Sequence, residues 1–330
     1  MTMTAHDETR PGGTGSGARL GTTGGTGTST TPTDPGRRDL IESMDRPHRG
    51  RAIKDHVARI VMWGSFVLAV VPLVWILWTV ASNGFHMITT SLWWTGNQRN
   101  INTTDAGGGA RHAIEGTLIQ AGATAAIAVP IAILTAIYLV EYGRGRLARV
   151  ISFMVDILSG VPSIVAALFI YAVWVTTFGI DRNGFAVSLS LVLLMIPTVT
   201  RSTEEMLKLV PNELREASYA LGVPKWVTIV RVVLPTAFSG IVTGVLLGLA
   251  RVMGETAPLL ILGPYTKNFQ RDLFNGNMPT LPTMINEDRS DFALSTAAER
   301  MWGAALTLII LVLLLNLAGR FIARRSAVAK

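Results

Sequence analysis

The stretch of sequence that decides the fold is VVLPTAFSGIVTGVLLGLARVMGETAPLL, residues 232–260. Residues 232–250 carry no charge and are long enough for a helix to cross the roughly 30 Å hydrocarbon core of a bilayer. Arg251 and Glu255 then follow within the apolar run. A charged side chain near the bilayer centre costs roughly 2.5–3.5 kcal/mol. We therefore expect both charges to face protein or water, where something neutralises or uses them.

Further apolar segments of similar length continue this pattern along the chain. Of its 330 residues, 49% are hydrophobic and 15% are charged, whereas a soluble domain carries about 25% charged residues. Backbone polar groups in lipid must bond within their own segment, so each run is predicted to be a helix. The predicted fold is an all-α membrane protein with six transmembrane helices. Their approximate ranges are 57–82, 113–140, 150–178, 184–200, 233–263 and 301–322.

The distribution of basic residues predicts the orientation of these helices. With the N-terminus in the cytoplasm, 21 of the 29 Lys and Arg residues fall in cytoplasmic segments, as the positive-inside rule requires. Both termini are therefore predicted to be cytoplasmic. The net charge of +7 then reflects topology in a membrane, and it does not indicate a nucleic-acid partner.

The segments outside the membrane differ in composition. The first 36 residues hold nine Gly and eleven Thr, so residues 1–45 are predicted to form a disordered cytoplasmic tail before a permease domain at 46–325. The first apolar run is too deep and too long for a cleaved signal peptide. Residues 264–300 are predicted to form an irregular or partly helical extracytoplasmic loop.

Residues 201–232 are predicted to form a longer cytoplasmic loop. The positions of its proline and glycine residues predict two short helices. Pro211 suits a first helical turn, because its missing N–H would lack a partner there anyway. Gly222 is placed to take a positive φ just after the helix, and Pro224 begins a second helix. The first helix presents a compact face of small and apolar residues, which favours a docking surface. An amphipathic helix that merely joins two spans is the alternative that this pattern leaves open.

This loop resembles a known signature. Glu216-Ala217-Ser218, Gly222 and the VVLP at 232–235 are similar to the EAA signature of ABC-importer permeases: Glu-Ala-Ala, three residues, Gly, nine residues, Ile-x-Leu-Pro. Both spacings match, and Ser218 and Val232 are the departures. The resemblance implies a type I, MetI-like permease bundle whose loop contacts a separate cytoplasmic ATPase. The implied contact residues are Glu216, Ala217, Ser218, Leu221 and Gly222.

The same resemblance implies that ATP is used by another chain. No GxxxxGK[ST] occurs in the sequence, so the chain does not bind ATP through a Walker motif. No cofactor is expected to bind this chain, and without cysteine a thiolate-held cofactor or metal is excluded.

The third predicted span contains SGVPSIV at residues 159–165. Gly160 and Pro162 loosen a transmembrane helix, and such interruptions are tolerated where they line a cavity or pack on neighbours. Close helix packing through Gly160 and Ser163 and cavity lining remain equal alternatives. Asp156 is interpreted as an interfacial or capping carboxylate.

The charged pair in the fifth span also has two interpretations. The i,i+4 spacing places Arg251 and Glu255 on one helical face, so they can pair structurally and fix the bundle. Alternatively, they form a polar site on a transport pathway. The planar guanidinium can donate two hydrogen bonds to an oxyanion there. Pro258 frees a backbone carbonyl near Gly254 and permits bending.

The segments SGVPSIV at 159–165 and RVMGETAPLL at 251–260 are similar to those of the phosphate-specific importer permeases of the PstA type. The similarity covers about residues 55–325. The resemblance implies phosphate as cargo, with sulfate or molybdate as the alternative in the same architecture. It implies a bacterial cytoplasmic membrane with its lipid, a PstC-type second permease, two PstB-type ATPases and a PstS-type extracytoplasmic binding protein. The implied pathway residues are Arg251, Glu255, Thr256, Ser159 and Ser163.

An intramembrane enzyme is the competing class. Such an enzyme needs a nucleophile with its base, or a metal cluster. The five histidines lie outside the predicted spans, and neither HExxH nor GxSxG occurs. We therefore expect a transport subunit without catalytic or metal-binding residues.

Overall fold

The computed structural model describes residues 49–328, with side chains from 54 to 325. The tail predicted at 1–45 lies outside the described residues. The described chain is helical and contains no strand. Its helices are α1 (Arg49–Thr89), α2 (Ser91–Thr95), α3 (Arg111–Ile137), α4 (Gly145–Gly160), α5 (Ser163–Ile170), α6 (Gly184–Lys208), α7 (Asn212–Ala220), α8 (Lys225–Thr228), α9 (Leu234–Met253), α10 (Ala257–Leu262), α11 (Leu281–Ser290) and α12 (Ser295–Val328).

Three wider helical turns extend this set. π-Helical segments at Tyr138–Tyr142, Tyr171–Thr177 and Ile229–Val233 continue α3 and α5 and join α8 to α9. Five helical segments in the described chain are long and apolar enough to cross a membrane, and α4 with α5 makes a sixth if that pair is one span.

Packing divides the chain at residue 69. The described part of the first unit, 49–69, is the beginning of α1, where apolar side chains such as Trp63 and Phe66 are exposed. The second unit begins at Val70 and contains the rest of the described bundle. An apolar exposed surface of this kind suits lipid rather than water.

The core of the second unit is built on α3 and α6. Small residues of α3, including Ala128 and Ala132, are fully buried against Leu191 and Met195 of α6. Such small side chains let membrane helices approach closely. Helix α9 packs on α6 and on α12, so the fifth span connects the sixth span to this pair.

The third predicted span, expected at 150–178, is two helices rather than one. Helices α4 and α5 are bent by 104° at a break around Val161 and Pro162. Proline cannot donate a backbone hydrogen bond and clashes with the preceding turn, which ends a helix. The interruption expected at SGVPSIV is therefore a sharp bend between two separate helices.

The fifth span is also interrupted. It begins at Lys225, before the predicted 233, and its long helix α9 ends at Met253 before α10 starts at Ala257. Pro258 lies in the first turn of α10, so it cannot bond back to the carbonyl of Gly254. The span expected at 233–263 therefore contains a break at 254–256.

The second half of the predicted loop 264–300 enters the bundle. Leu281 and Met284 of α11 are fully buried, and Thr280 caps the helix through a reciprocal bond with Thr283. At Gly116 of α3 the backbone of this segment approaches closely, because a Cβ there would lie 1.8 Å from the carbonyl oxygen of Pro279. This segment is a packed element of the fold.

Gly116→Ala is expected to displace the 279–284 segment and to lower the thermal midpoint of the purified protein by several degrees, because its methyl overlaps backbone that cannot move aside cheaply. Gly122→Ala on the same helix meets nothing within 4 Å and serves as the matched control. Thermal unfolding in detergent, followed by circular dichroism, measures both. Equal midpoints for the two variants would contradict the close approach.

Candidate functional site

The charged pair of the fifth span lies at the break between α9 and α10. Arg251 is in the last turn of α9, and Glu255 is in the break itself. The Arg251 Nε and Glu255 Oε1 atoms are 3.8 Å apart, and the side chains are 51% and 18% exposed. The pair predicted from spacing is thus present, but it is loose and its guanidinium remains open to another partner.

The other predicted pathway residues lie at the breaks of the third and fifth spans. Thr256 is the N-cap residue of α10, and Ser163 opens α5, which packs on α10. Ser159 is exposed and Ser163 is half-buried. Within the described residues, no hydrogen bond joins either serine to Arg251 or Glu255. The structure therefore brings the two broken helices together without completing a site.

A groove next to the break provides space. An open groove of about 560 Å³ lies between Gly254 and the face of α12 that carries Leu308, Val312 and Asn316. Arg320, at the far end of this face, is a further lining residue and adds a positive charge. An apolar groove with a few polar groups is typical of sites that hold small ligands.

The elbow, which consists of α7, α8 and the turn at Gly222 between them, has the geometry predicted for it. Helix α7 ends at Ala220, and Gly222 has φ +74°. The Val223 N–H donates to the Ser218 carbonyl (3.2 Å) and the Gly222 N–H donates to the Tyr219 carbonyl (2.9 Å). This is the Schellman arrangement, which needs a left-handed residue and so favours glycine. The expectation of a positive φ at Gly222 is confirmed.

The elbow exposes apolar side chains. Leu221 is 83% exposed and Trp226 is 65% exposed, and Leu214 and Tyr219 are also exposed. Glu216 and Ala217 lie on the exposed surface of α7, whereas Ser218 is buried and its Oγ lies 2.8 Å from the Thr228 Oγ1. Of the five residues assigned to ATPase contact, Ser218 therefore joins the two elbow helices to each other.

A buried carboxylate anchors the elbow to the bundle, and sequence reasoning missed it. Glu141, 5% exposed in the π-helical segment that continues α3, accepts two hydrogen bonds from the Arg215 guanidinium at 3.0 and 3.2 Å. Arg215 also donates to the carbonyls of Leu207 and Val210, and the Lys225 ammonium donates to the Glu141 carbonyl. We call Glu141, Arg215 and Lys225 the inner clasp. Its only sequence signal was a carboxylate ending an apolar run.

Glu141→Ala is expected to lower the free energy of unfolding by about 3 kcal/mol, since it leaves the mostly buried Arg215 without its charge partner. Glu205→Ala, which removes an exposed carboxylate outside the clasp, is the matched control and is expected to change stability by about 0.5 kcal/mol or less. Denaturant titration in micelles measures the difference. An unchanged Glu141→Ala midpoint would show that the clasp is not structural.

A second ion-pair group fixes α4 to the C-terminal part of α6. The Arg201 guanidinium contacts Asp156 at 2.5 Å and Glu204 at 2.9 Å, and it donates to the Ser152 carbonyl. Asp156, expected to be interfacial or capping, is thus an ion-pair partner on an exposed surface. This contact holds the bent helix pair in place at the elbow end of the bundle.

The loop after α10 carries a buried polar network that the sequence did not indicate. The Tyr265 hydroxyl donates to the Gln98 Oε1 (2.6 Å) and lies 2.9 Å from the His112 Nε2, and burial raises the pKa of Tyr265. Asp288 pairs with Arg300 at 3.4 Å; burial raises the pKa of its carboxyl, against the opposing effect of the Arg300 charge. These contacts tie the loop to the ends of α3 and α12.

The chain matches a known family of membrane transport proteins. Residues 128–328 match the family described as "Binding-protein-dependent transport system inner membrane component". The "Phosphate transport system permease protein PstA 1" of Mycobacterium tuberculosis is 51% identical over 302 residues, covering 86% of this chain and 96% of that protein. The chain belongs to the PstA branch of this permease family. The resemblance read from the EAA and span motifs is confirmed.

More distant relatives support the same family and the same fold. The "Phosphate transport system permease protein PstA" of Yersinia pestis is 38% identical over 287 residues, 86% of this chain and 94% of its own length. A bacterial alginate ABC transporter solved with its periplasmic protein gives a TM-score of 0.59 at 12% identity, covering 82% of this chain and 95% of that chain. The methionine transporter MetNI gives 0.52 at 22% identity, covering 66% and 94%. The last two support the MetI-like importer fold alone.

Proposed function

We propose that this chain is the permease subunit of an ATP-driven importer that moves inorganic phosphate across the bacterial cytoplasmic membrane. The observation that carries the proposal is Arg251: a half-exposed guanidinium at a helix break inside a membrane span, beside a groove, in a chain with PstA relatives. Intramembrane charges are rarely retained without a function.

The local chemistry fits an oxyanion. A guanidinium presents donors in a fork that matches phosphate oxygens. At 3.8 Å, Glu255 balances this charge without saturating its donors. An anion reaching the break then competes with a weak internal partner, and Glu255 restores neutrality after the anion leaves. Ser159, Ser163 and Thr256 supply hydroxyls on the neighbouring broken helices.

Energy coupling is assigned to the elbow. Its exposed apolar residues form a compact surface that suits a groove on a protein partner. The inner clasp carries displacement of the elbow into α3, and α8 continues into α9, which ends at Arg251. ATP hydrolysis is done by two PstB-type ATPases, and this chain is not itself an enzyme and binds no cofactor.

The importer also needs a second permease and a protein that delivers the cargo. A PstC-type permease pairs with this chain, and a PstS-type protein delivers phosphate on the outer side. Both termini and the elbow are cytoplasmic, as the distribution of basic residues indicates.

Uptake of labelled phosphate and sulfate in one strain tests the proposal. A bacterium lacking its own phosphate-specific permeases is given this chain with its importer partners. Phosphate uptake above the empty-vector control, without sulfate uptake, is expected. Sulfate uptake without phosphate uptake would overturn the cargo and leave the importer class intact.

A further inference from the structure

A buried amide without a partner lies beside the broken fifth span. Gln120 of α3 is 2% exposed, and neither its Oε1 nor its Nε2 has a hydrogen-bond partner among the described residues. Burying a polar group without a bond costs on the order of 1–3 kcal/mol. The Gln120 amide is therefore available to a hydrogen-bonding group that enters this site.

Its neighbours on the same buried face of α3 are satisfied. The Thr117 hydroxyl donates to the Ala113 carbonyl at 2.8 Å and accepts from the Leu281 N–H at 2.9 Å. Thr124 donates to the Ser188 carbonyl at 3.4 Å. Gln120 lies between these two threonines, so its lack of a partner is a local feature and not a general property of the face.

Gln120 lines a small cavity that adjoins the helix break. The cavity leaves about 10 Å³ free, roughly the minimum for one water molecule. Val252 and Met253 at the end of α9, and Leu259 in α10, form its wall on the side of the break. Phosphate is larger than this space, so the described state is closed at this point.

We propose that Gln120 donates its amide hydrogens to the transported oxyanion when the 254–256 break opens. The proposal rests on the proposed function and adds to it a second polar contact, which α3 supplies at the cavity lined by Val252 and Met253. A primary amide has two N–H donors and no charge. It binds the anion without holding it strongly, and a conducting pathway needs sites that the ion can leave.

Uptake measurements test the chemistry of this contact. Gln120→Leu is expected to lower phosphate uptake at saturating phosphate by about tenfold, and Gln120→Glu at least as much, because a carboxylate repels the anion. Ser190→Ala is the matched control: Ser190 is also buried without a partner but does not line the cavity, and uptake is expected to stay unchanged.

Labelling of an introduced cysteine tests whether the position opens. The chain has no cysteine, so Gln120→Cys gives it a single thiol, and the unsubstituted complex controls for partner chains. In the assembled complex, a small methanethiosulfonate reagent is expected to label it at least tenfold faster in one of two states, resting or trapped with a non-hydrolysable nucleotide. Phosphate should slow the faster reaction, and Ser190→Cys should stay unlabelled.

Two results would overturn the proposal: labelling at the same rate in both states, or labelling that phosphate does not affect. Failure of the proposed function appears separately, since the unsubstituted complex would then take up no phosphate. If wild-type uptake is intact and Gln120→Leu retains it fully, only the contact at Gln120 is wrong.

Discussion

Replacing Arg251 with alanine is expected to reduce phosphate uptake at least about tenfold while the importer complex still assembles. The side chain is half-exposed and its ion pair is loose, so its loss removes little packing. A hydrogen bond to a charged group is worth about 1.5–3 kcal/mol, which corresponds to tenfold or more in rate when it acts on the transported ion. Labelled phosphate uptake and co-purification of the partner subunits measure the two quantities.

A double substitution separates the pathway role of Arg251 from a structural ion pair. If the pair only fixes the bundle, Arg251→Met with Glu255→Leu removes both charges and is expected to restore uptake. If Arg251 contacts the anion, the double variant assembles and remains inactive. Arg251→Lys retains the charge without the fork and should give intermediate uptake. Wild-type uptake in Arg251→Ala would reduce the residue to a structural role.

Replacing Gly222 with valine is expected to abolish co-purification with the ATPase subunits and, with it, ATP-driven uptake. A β-branched residue at φ +74° is strained by about 1–3 kcal/mol, and the Schellman turn that orients α7 against α8 is lost. The exposed apolar face of the elbow then no longer has its shape.

The chain offers a matched control for this strain. Gly145 has φ +80°, and a Cβ at either Gly145 or Gly222 meets nothing within 4 Å. Gly145→Val therefore introduces similar backbone strain at the start of α4, outside the elbow, and is expected to retain the ATPase. Retention in Gly222→Val, or loss in both variants, would count against docking through the elbow.

Much of the fold follows from the sequence because helices in lipid bond within themselves. Apolar runs of sufficient length predict helices wherever they occur, and α1, α3, α6, α9 and α12 contain the main part of five predicted spans. Proline and glycine mark the breaks at Pro162 and around Gly254, although they do not give an angle. The 104° bend depends on what α4 and α5 pack against.

Some of the site residues can likewise be identified from the sequence, and others only from the structure. Arg251 and Glu255 were identifiable because charges are conspicuous in an apolar run, and Gly222 because a turn after a helix requires a positive φ. Gln120 gave no such signal, since an uncharged amide in a span becomes informative only when its surroundings show that it lacks a partner.

By itself, the sequence determined the long apolar helices, the elbow and the charged pair, all of which depend on residues within a few turns of one another. Only the tertiary structure decided that Glu141 meets Arg215, 74 positions away, and that Gln120 lies at the wall of the broken span. The physical reason is that helix formation is satisfied locally, whereas the partners of buried polar groups depend on which helix faces pack together.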